Sequence, residues 1–260
     1  MITLMTDFGD SHYVAQMKAS ILNTNPEAKI LDITHEIPPH DIVSGAYVLF
    51  TTLPFFPDSV HVCVVDPGVG SERKGVVIEC KDSFLVGPDN GLMVDAARKL
   101  GIERCYEIRE TGLEPKTFHG RDLFAPVGAL LDTGKNAEEV GEEVNPSELV
   151  DLGLLDLEYG KSITSESYVK GKILFVDRFG DCITSIIPDL LDGDRALFEI
   201  KGRKFGFRFL DSYALSKPGE IIALVSSSGF LELASYRKKC SEILGLKVGD
   251  PITLFRSYTR

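Results

Sequence analysis

Three segments of the chain end an apolar run on an acidic, polar turn: Thr6-Asp7-Phe8-Gly9-Asp10, Asp32-Ile33-Thr34-His35, and Asp66-Pro67-Gly68-Val69-Gly70-Ser71-Glu72-Arg73. A strand that stops on Asp and then on glycines presents a carboxylate and lets a ligand approach the backbone. Any one of these turns reads equally well as a helix cap or an Asx-turn. Three of them in one half of the chain point to a site. A fourth polar turn, Phe118-His119-Gly120-Arg121-Asp122, precedes an apolar helical run from Leu123 to Leu131. There Asp122 is expected to cap the helix and His119 to sit just before its positive end. Such a set suits proton handling by carboxylate and imidazole. Alternatively, Asp7, Asp10, Asp32 and Asp66 could offer oxygen ligands to a Mg²⁺- or Mn²⁺-dependent hydrolase.

Several familiar signatures fail. Asp7-Phe8-Gly9 matches a kinase triplet, but no Gly-rich nucleotide loop or catalytic-loop motif accompanies it. Pro67–Ser71 lacks the lysine and spacing of a P-loop, and neither a Gly-x-Ser-x-Gly elbow nor a His-x-x-x-His pair occurs.

The elements that must position these residues follow from hydrophobic period. Ile2–Thr6, Lys29–Ile33 and Val60–Val65 read as strands, with Val14, Met17 and Ile21 and then Ile42, Ala46 and Leu49 recurring at helical spacing between them. Val60–Val65 is almost wholly apolar, as a strand covered on both faces would be. Val76–Ile78, Phe84–Val86 and a helix through Leu92, Ala96 and Leu100 continue the rhythm. An α/β N-terminal domain with a mostly parallel sheet is expected over residues 1–160. Over residues 161–260 short strand candidates alternate with Gly, Pro and Asp clusters, from Tyr168–Val176 to Ile252–Phe255. That pattern predicts an all-β C-terminal domain, a small antiparallel barrel or sandwich.

Composition narrows the function classes. Hydrophobic residues make up 43% and charged residues 26% of 260, which is globular composition. The net charge of −11 opposes a phosphate backbone, so no nucleic-acid partner is expected, and no apolar run approaches the ~20 residues of a membrane span. Met1–Asp7 has no basic leader region, so a cytoplasmic location is expected. The five scattered cysteines form no CxxC pair, which favours packed free thiols over a disulfide framework or zinc ribbon.

Taken in order, Thr6–Gly9, Val65–Gly70 with Arg73, Gly87-Pro88-Asp89-Asn90-Gly91, Thr117–Asp122, Asp177-Arg178-Phe179-Gly180 and Ser227–Glu232 resemble the S-adenosyl-L-methionine hydrolase family, also called S-adenosyl-L-methionine hydroxide adenosyltransferases and related to fluorinase and chlorinase enzymes. The resemblance spans essentially the whole chain. It implies an N-terminal α/β domain and a C-terminal β-barrel, assembled as a homotrimer with sites between subunits. It implies attack of water or hydroxide on C5′ of the adenosyl group, releasing L-methionine and forming adenosine, with no cofactor and no metal. The family's catalytic Asp, Arg and His fall on Asp66, Arg73 and His119, and their presence points to water rather than halide as nucleophile. Its ribose contact falls on Asp7, its ammonium contact on Asp177, its carboxylate contact near Ser227, and its adenine contacts at Phe179-Gly180 and the next residue. Two stretches depart from the family pattern. The usual Asn after Phe179-Gly180 is Asp181, which cannot donate a hydrogen bond when ionised. Ala234–Cys240 lacks the usual Asn and Gln. A non-catalytic module that only binds S-adenosylmethionine is the alternative to turnover.

Overall fold

The computed structural model describes residues 1–109, 117–162, 166–188, 191 and 193–255. The chain divides into two compact units, Met1–Leu152 and Gly153–Arg260, so the division falls a few residues ahead of the position expected near 160.

The first unit runs β1 (Ile2–Thr6), α1 (His12–Thr24), β2 (Ile30–Thr34), α2 (Ile42–Thr52), β3 (Ser59–Val64), β4 (Gly75–Cys80), β5 (Ser83–Pro88), α3 (Val94–Leu100), β6 (Ile102–Ile108), α4 (Ala125–Asp132), α5 (Ala137–Val140) and β7 (Gly141–Val144). Its seven strands lie in the order β2-β1-β3-β5-β4-β6-β7. β2, β1, β3 and β5 pair in parallel, and β4, β6 and β7 extend the sheet as an antiparallel flank. All residues of β1 and β3 are buried, so their sequences are largely apolar, and the polar Thr3 and His61 on the neighbouring strands meet in a hydrogen bond of 2.8 Å. α1 turns Val14, Met17 and Ile21 inward, while α2 is started by Asp41, whose carboxylate accepts from the Ser44 N–H at 3.0 Å. Two apolar cores cover the two faces of the sheet. One gathers Met17, Ile21 and Phe124, the other Leu49, Leu53 and Leu92. β6 and β7 have no counterpart in the sequence reading: Ile102–Ile108 alternates weakly, and β7 is four residues inside an acidic stretch.

The second unit comprises β8 (Glu158–Lys161), β9 (Ser167–Val176), β10 (Cys182–Thr184), β11 (Arg195–Ile200), β12 (Arg203–Phe209), β13 (Ile221–Val225), β14 (Leu231–Ser235), α6 (Cys240–Leu244) and β15 (Pro251–Phe255). The order β10-β14-β13-β12-β11-β15-β9 returns to β10 through the β9–β10 pairing, giving a closed seven-stranded barrel, with β8 added outside on β9. Closure removes sheet edges, and Phe198, Ile173, Leu233 and Leu254 fill the interior. The barrel therefore realises the all-β domain expected, with one parallel pairing, β12–β13, among antiparallel ones.

Candidate active site

In the first unit β2 lies on one side of β1 and β3 on the other, so the connections leaving β1 and β3 diverge. That reversal opens a crevice at the carboxyl ends of the two strands. Asp7 follows β1 directly and Asp66 stands two residues beyond β3. Both line a cavity of about 570 Å³, with Tyr13, Phe118, His119 and Arg121 on its other walls.

Behind Asp66, the turn Asp66–Gly70 brings the chain back, with Gly70 at φ +78°, a conformation open to glycine. Arg73 then reaches the carboxylate with two nitrogens: Nε donates to Oδ1 at 3.0 Å and Nη2 to Oδ2 at 2.5 Å. The second hydrogen of Nη2 points at His119 Nδ1, 2.9 Å away. An arginine can only donate, so Nδ1 is the acceptor and the neutral ring carries its proton on Nε2. The guanidinium also lies 5.2 Å from the centroid of Phe124, whose ring meets His119 edge-on. Side chains of Asp66 and Arg73 are 6% and 10% exposed. Arg73 Nη1 is buried with no partner among the described residues. Arg73 is absent from the cavity wall, so it acts through the two residues that do line it.

His119 is delivered by a π-helical turn, Gly120–Phe124, that leads into α4. This corrects the expected role of Asp122. It lies inside that turn and takes the Arg121 guanidinium in a paired contact, Nε–Oδ1 2.6 Å and Nη2–Oδ2 2.7 Å, rather than capping a helix. The wide turn starts the helix one turn ahead of where an Asp122 cap would have set it. Asp7 is held by the His40 N–H, which donates to Oδ2 at 2.8 Å. The third acidic strand end stays out of the cavity. Asp32 is claimed by Lys18 and His35; burial pushes its carboxyl up, but those two hydrogen bonds and charges bring it below the usual range. Asp10 is exposed and also outside the wall. Among the described residues, no three His, Cys, Asp or Glu side chains are grouped to hold a metal ion, so the four aspartates of the metal reading do not converge.

The second unit carries the other predicted residues. Asp177 and Phe179 lie on the turn between β9 and β10, where Asp177 Oδ1 accepts from the N–H groups of Phe179 and Asp181, both at 2.9 Å. Gly180 sits at φ +85° with Lys239 so close that an added Cβ would fall 2.4 Å from its Cβ. Asp177, Phe179 and Asp181 line one cavity, with Tyr213, Ser235 and Tyr236. Ser227 is exposed on the β13–β14 turn and the structure does not bring it into this wall. Burial raises the Asp181 carboxyl to about 6, with the Asp177 charge adding to the rise and the Ser235 N–H opposing it. Burial likewise raises Glu232 to about 7, although the Tyr213 hydroxyl donates to it at 2.6 Å. Tyr13 and Tyr213 were not singled out from the sequence, and Glu232 and Ser235 entered it only as members of the Ser227–Glu232 and Ala234–Cys240 stretches, with no role of their own. Each falls within a helix, turn or strand where its type is ordinary, and only the strand-end motifs beside them carried a signal.

The family model of the SAM hydroxide adenosyltransferase N-terminal domain matches residues 2–141, and that of the C-terminal domain matches residues 171–253. An (R)-S-adenosyl-L-methionine hydrolase from Methanocaldococcus jannaschii is 41% identical, the match covering 98% of this chain and 95% of that protein. The crystal structure of a conserved protein from Thermotoga maritima superposes with a TM-score of 0.84 at 35% identity, covering 98% of this chain and 99% of the other. A fluorinase from Actinopolyspora mzabensis stands further off, 24% identical over 99% of this chain and 97% of its own. With both domain models matched in order, and a hydrolase more than 30% identical along nearly the whole length, the chain belongs to the SAM hydroxide adenosyltransferase family.

Proposed function

We propose that this protein hydrolyses S-adenosyl-L-methionine to adenosine and L-methionine, with activated water or hydroxide attacking C5′ of the adenosyl group. The observation that carries the reading is the Asp66–Arg73–His119 chain at the β1/β3 crevice, beside Asp7. A sulfonium is a competent leaving group, so the reaction needs no general acid; it needs an oriented water that gains hydroxide character. Asp66 Oδ1 accepts a single bond from Arg73 and keeps a lone pair for a water O–H, so it takes the proton that the water gives up as the C5′–O bond forms and the C5′–S bond breaks. His119, with its proton on Nε2, offers a donor to the oxygen on which negative charge develops. Arg73 holds both groups and its fixed charge favours the anion. In this geometry His119 stabilises hydroxide as a donor, a narrower part than the proton handling expected of the imidazole from the sequence. Alignment of that oxygen opposite the sulfur can supply ~7–11 kcal/mol of the barrier reduction. Asp7 takes the ribose hydroxyls, Asp177 the methionine ammonium, Ser227 the methionine carboxylate, and the Phe179–Asp181 turn the adenine.

The scheme uses no cofactor and no metal. A homotrimer, in which the barrel of one copy completes the cleft of a neighbour, is the assembly proposed; one cavity in each unit, carrying a different part of the binding set, supports it. A cytoplasmic location is proposed as well, supported by five buried free thiols. No helix among the described residues is long and apolar enough to cross a membrane. The test is chromatography of purified protein incubated with S-adenosylmethionine. Adenosine and methionine appearing in equal amounts, undiminished by a chelator, support the reading; bound but unconverted substrate would contradict it.

A further inference from the structure

One motif of the sequence has no part in the chemistry assigned so far. Gly87-Pro88-Asp89-Asn90-Gly91 leaves the end of β5, and none of its residues lines the cavity that holds Asp7 and Asp66. Its hydrogen bonds go instead to the two ends of the Asp66–Arg73 loop. Asn90 Nδ2 donates at 2.9 Å to the carbonyl of Val65, the residue before Asp66. The Asp89 N–H donates at 2.9 Å to the carbonyl of Lys74, the residue after Arg73. A single turn thus closes the base of the loop that carries both the carboxylate and the guanidinium.

The two bonds differ in kind. The Asp89–Lys74 bond follows the Gly75–Pro88 pair of the β4–β5 ladder, and any residue with a backbone N–H could make it. The Val65 carbonyl lies beyond the β3–β5 ladder, which ends at the Val62–Val86 pair, and is met by a side chain. That side chain is held in place by its own turn, because Asn90 Oδ1 accepts from the Leu92 N–H at 3.2 Å. With its oxygen occupied, the amide presents its nitrogen to Val65. The close approach of the two segments needs a glycine at 87, where an added Cβ would fall 2.2 Å from the Cys63 carbonyl oxygen. We propose that Asn90 is a positioning residue for the hydrolysis: its amide sets the direction in which the chain leaves Val65, and so the place of the Asp66 carboxylate and of the Arg73 and His119 side chains fixed to it. This rests on the hydrolase reading for the reaction, and it gives Asn90 a part that the family resemblance does not carry. Asn90 acts through Asp66. A turn of the Val65–Asp66 peptide would swing Asp66 Oδ1 away from the water, and a displacement of ~1 Å in such a group costs on the order of 10²-fold in rate.

The experiment is steady-state turnover of S-adenosylmethionine by the full-length protein from pH 5 to pH 8, for wild type, Asn90→Asp and Asn90→Ser. Both replacements keep an oxygen for the Leu92 N–H; an ionised aspartate has no donor for Val65, and a serine hydroxyl is too short to reach it. At pH 8 both should lose roughly 10–10²-fold in kcat with KM within about twofold of wild type. As pH falls to 5, Asn90→Asp should recover relative to wild type, because a protonated carboxyl regains the donor, whereas Asn90→Ser should not. The charged groups about the loop and the turn, Asp66, Arg73, Lys74, Asp89, Glu107 and Glu148, are common to all three proteins and cancel in that ratio. A merely structural lesion would lower both variants alike at every pH. A second readout needs no turnover: the Arg73 Nε–H, bonded to Asp66 at 3.0 Å, should exchange with solvent at least about tenfold faster in Asn90→Ser than in wild type, by ¹⁵N NMR with the resonance assigned from Arg73→Lys. Unchanged kcat or unchanged Arg73 exchange in Asn90→Ser, or a loss in Asn90→Asp that is the same at pH 5 and pH 8, overturns the positioning role. Wild type that makes no adenosine overturns the hydrolase reading instead, and the Arg73 exchange then decides by itself whether Asn90 sets the pair.

Discussion

The cleft of the first unit and the cavity of the barrel use the same residue types in opposite electrostatic states. In the cleft, Asp66 is matched by Arg73 through a paired contact, and the same guanidinium fixes the ring of His119. In the barrel, Asp181 and Glu232 are buried with no ion pair among the described residues, and burial pushes both carboxyls up, to about 6 and about 7. A paired, rigid charge suits stabilising a charge that appears only at the transition state. An uncompensated polar group suits choosing among ground-state ligands, because the wrong ligand leaves it worse off. On the proposed function, rate belongs to one unit and selection to the other, and each substitution below is expected to move one and spare the other.

His119→Ala should lower kcat by roughly 10²–10³-fold with little change in KM, as for one donor to an oxygen on which negative charge develops. His119→Gln, which can place an N–H near the position of Nε2, should recover most of that loss if the ring acts as a donor. Steady-state kinetics on the two variants separate the roles: equal loss in both would mean that His119 works as a base. Arg73→Lys should cost roughly 10–10²-fold in kcat, because a point donor cannot hold Asp66 in two bonds and His119 in a third. Its effect should show as a displaced pH–rate profile, which a purely structural lesion would not produce. In the barrel, Asp177→Ala should raise KM by about tenfold and leave kcat within a few-fold, which is the signature of lost ground-state binding.

A smaller effect is expected in stability. Glu232 and Asp181 carry raised carboxyls, so the folded chain favours their protonated forms. That contribution is full below their ordinary range near 4 and is lost as pH rises through about 6 and 7. Glu232→Gln should therefore raise Tm by a few degrees at pH 8, and flatten the rise in Tm that wild type shows from pH 8 to pH 5. Scanning calorimetry at the two pH values checks the sign; an unchanged slope in the variant would remove Glu232 from the account.

How much of this was readable from residues differs between the two regions for physical reasons. Asp7 and Asp66 were visible because a buried strand must end somewhere, and an apolar run that stops on Asp and Gly marks the end. The contact between Arg73 and His119 was not visible from residue types or spacing, since it joins positions 46 apart in sequence and depends on a π-helical turn. That turn also explains why Asp122, in a sequence position typical of a cap, is paired with Arg121 instead. In the barrel, the Asp177–Gly180 turn was marked by its glycine, but Ser235 was not, because one serine at a strand end has no pattern. Only its burial, and the lack of a partner for its hydroxyl, single it out. The antiparallel flank β4-β6-β7 was only partly legible because β6 alternates weakly and β7 is short and acidic.

The proposed division of labour needs an assembly that presents both cavities to one substrate molecule, and light scattering should report a trimer of the 260-residue chain; a monomer with full activity would contradict it. The central claim, however, is where the new bond forms. Hydrolysis in water enriched in oxygen-18, followed by mass spectrometry of both products, tests it directly. Attack at C5′ predicts one labelled oxygen in the 5′-hydroxyl of adenosine and none in methionine. Adenosine without the label would contradict the attack of water on C5′ and, with it, the role given to Asp66 and His119.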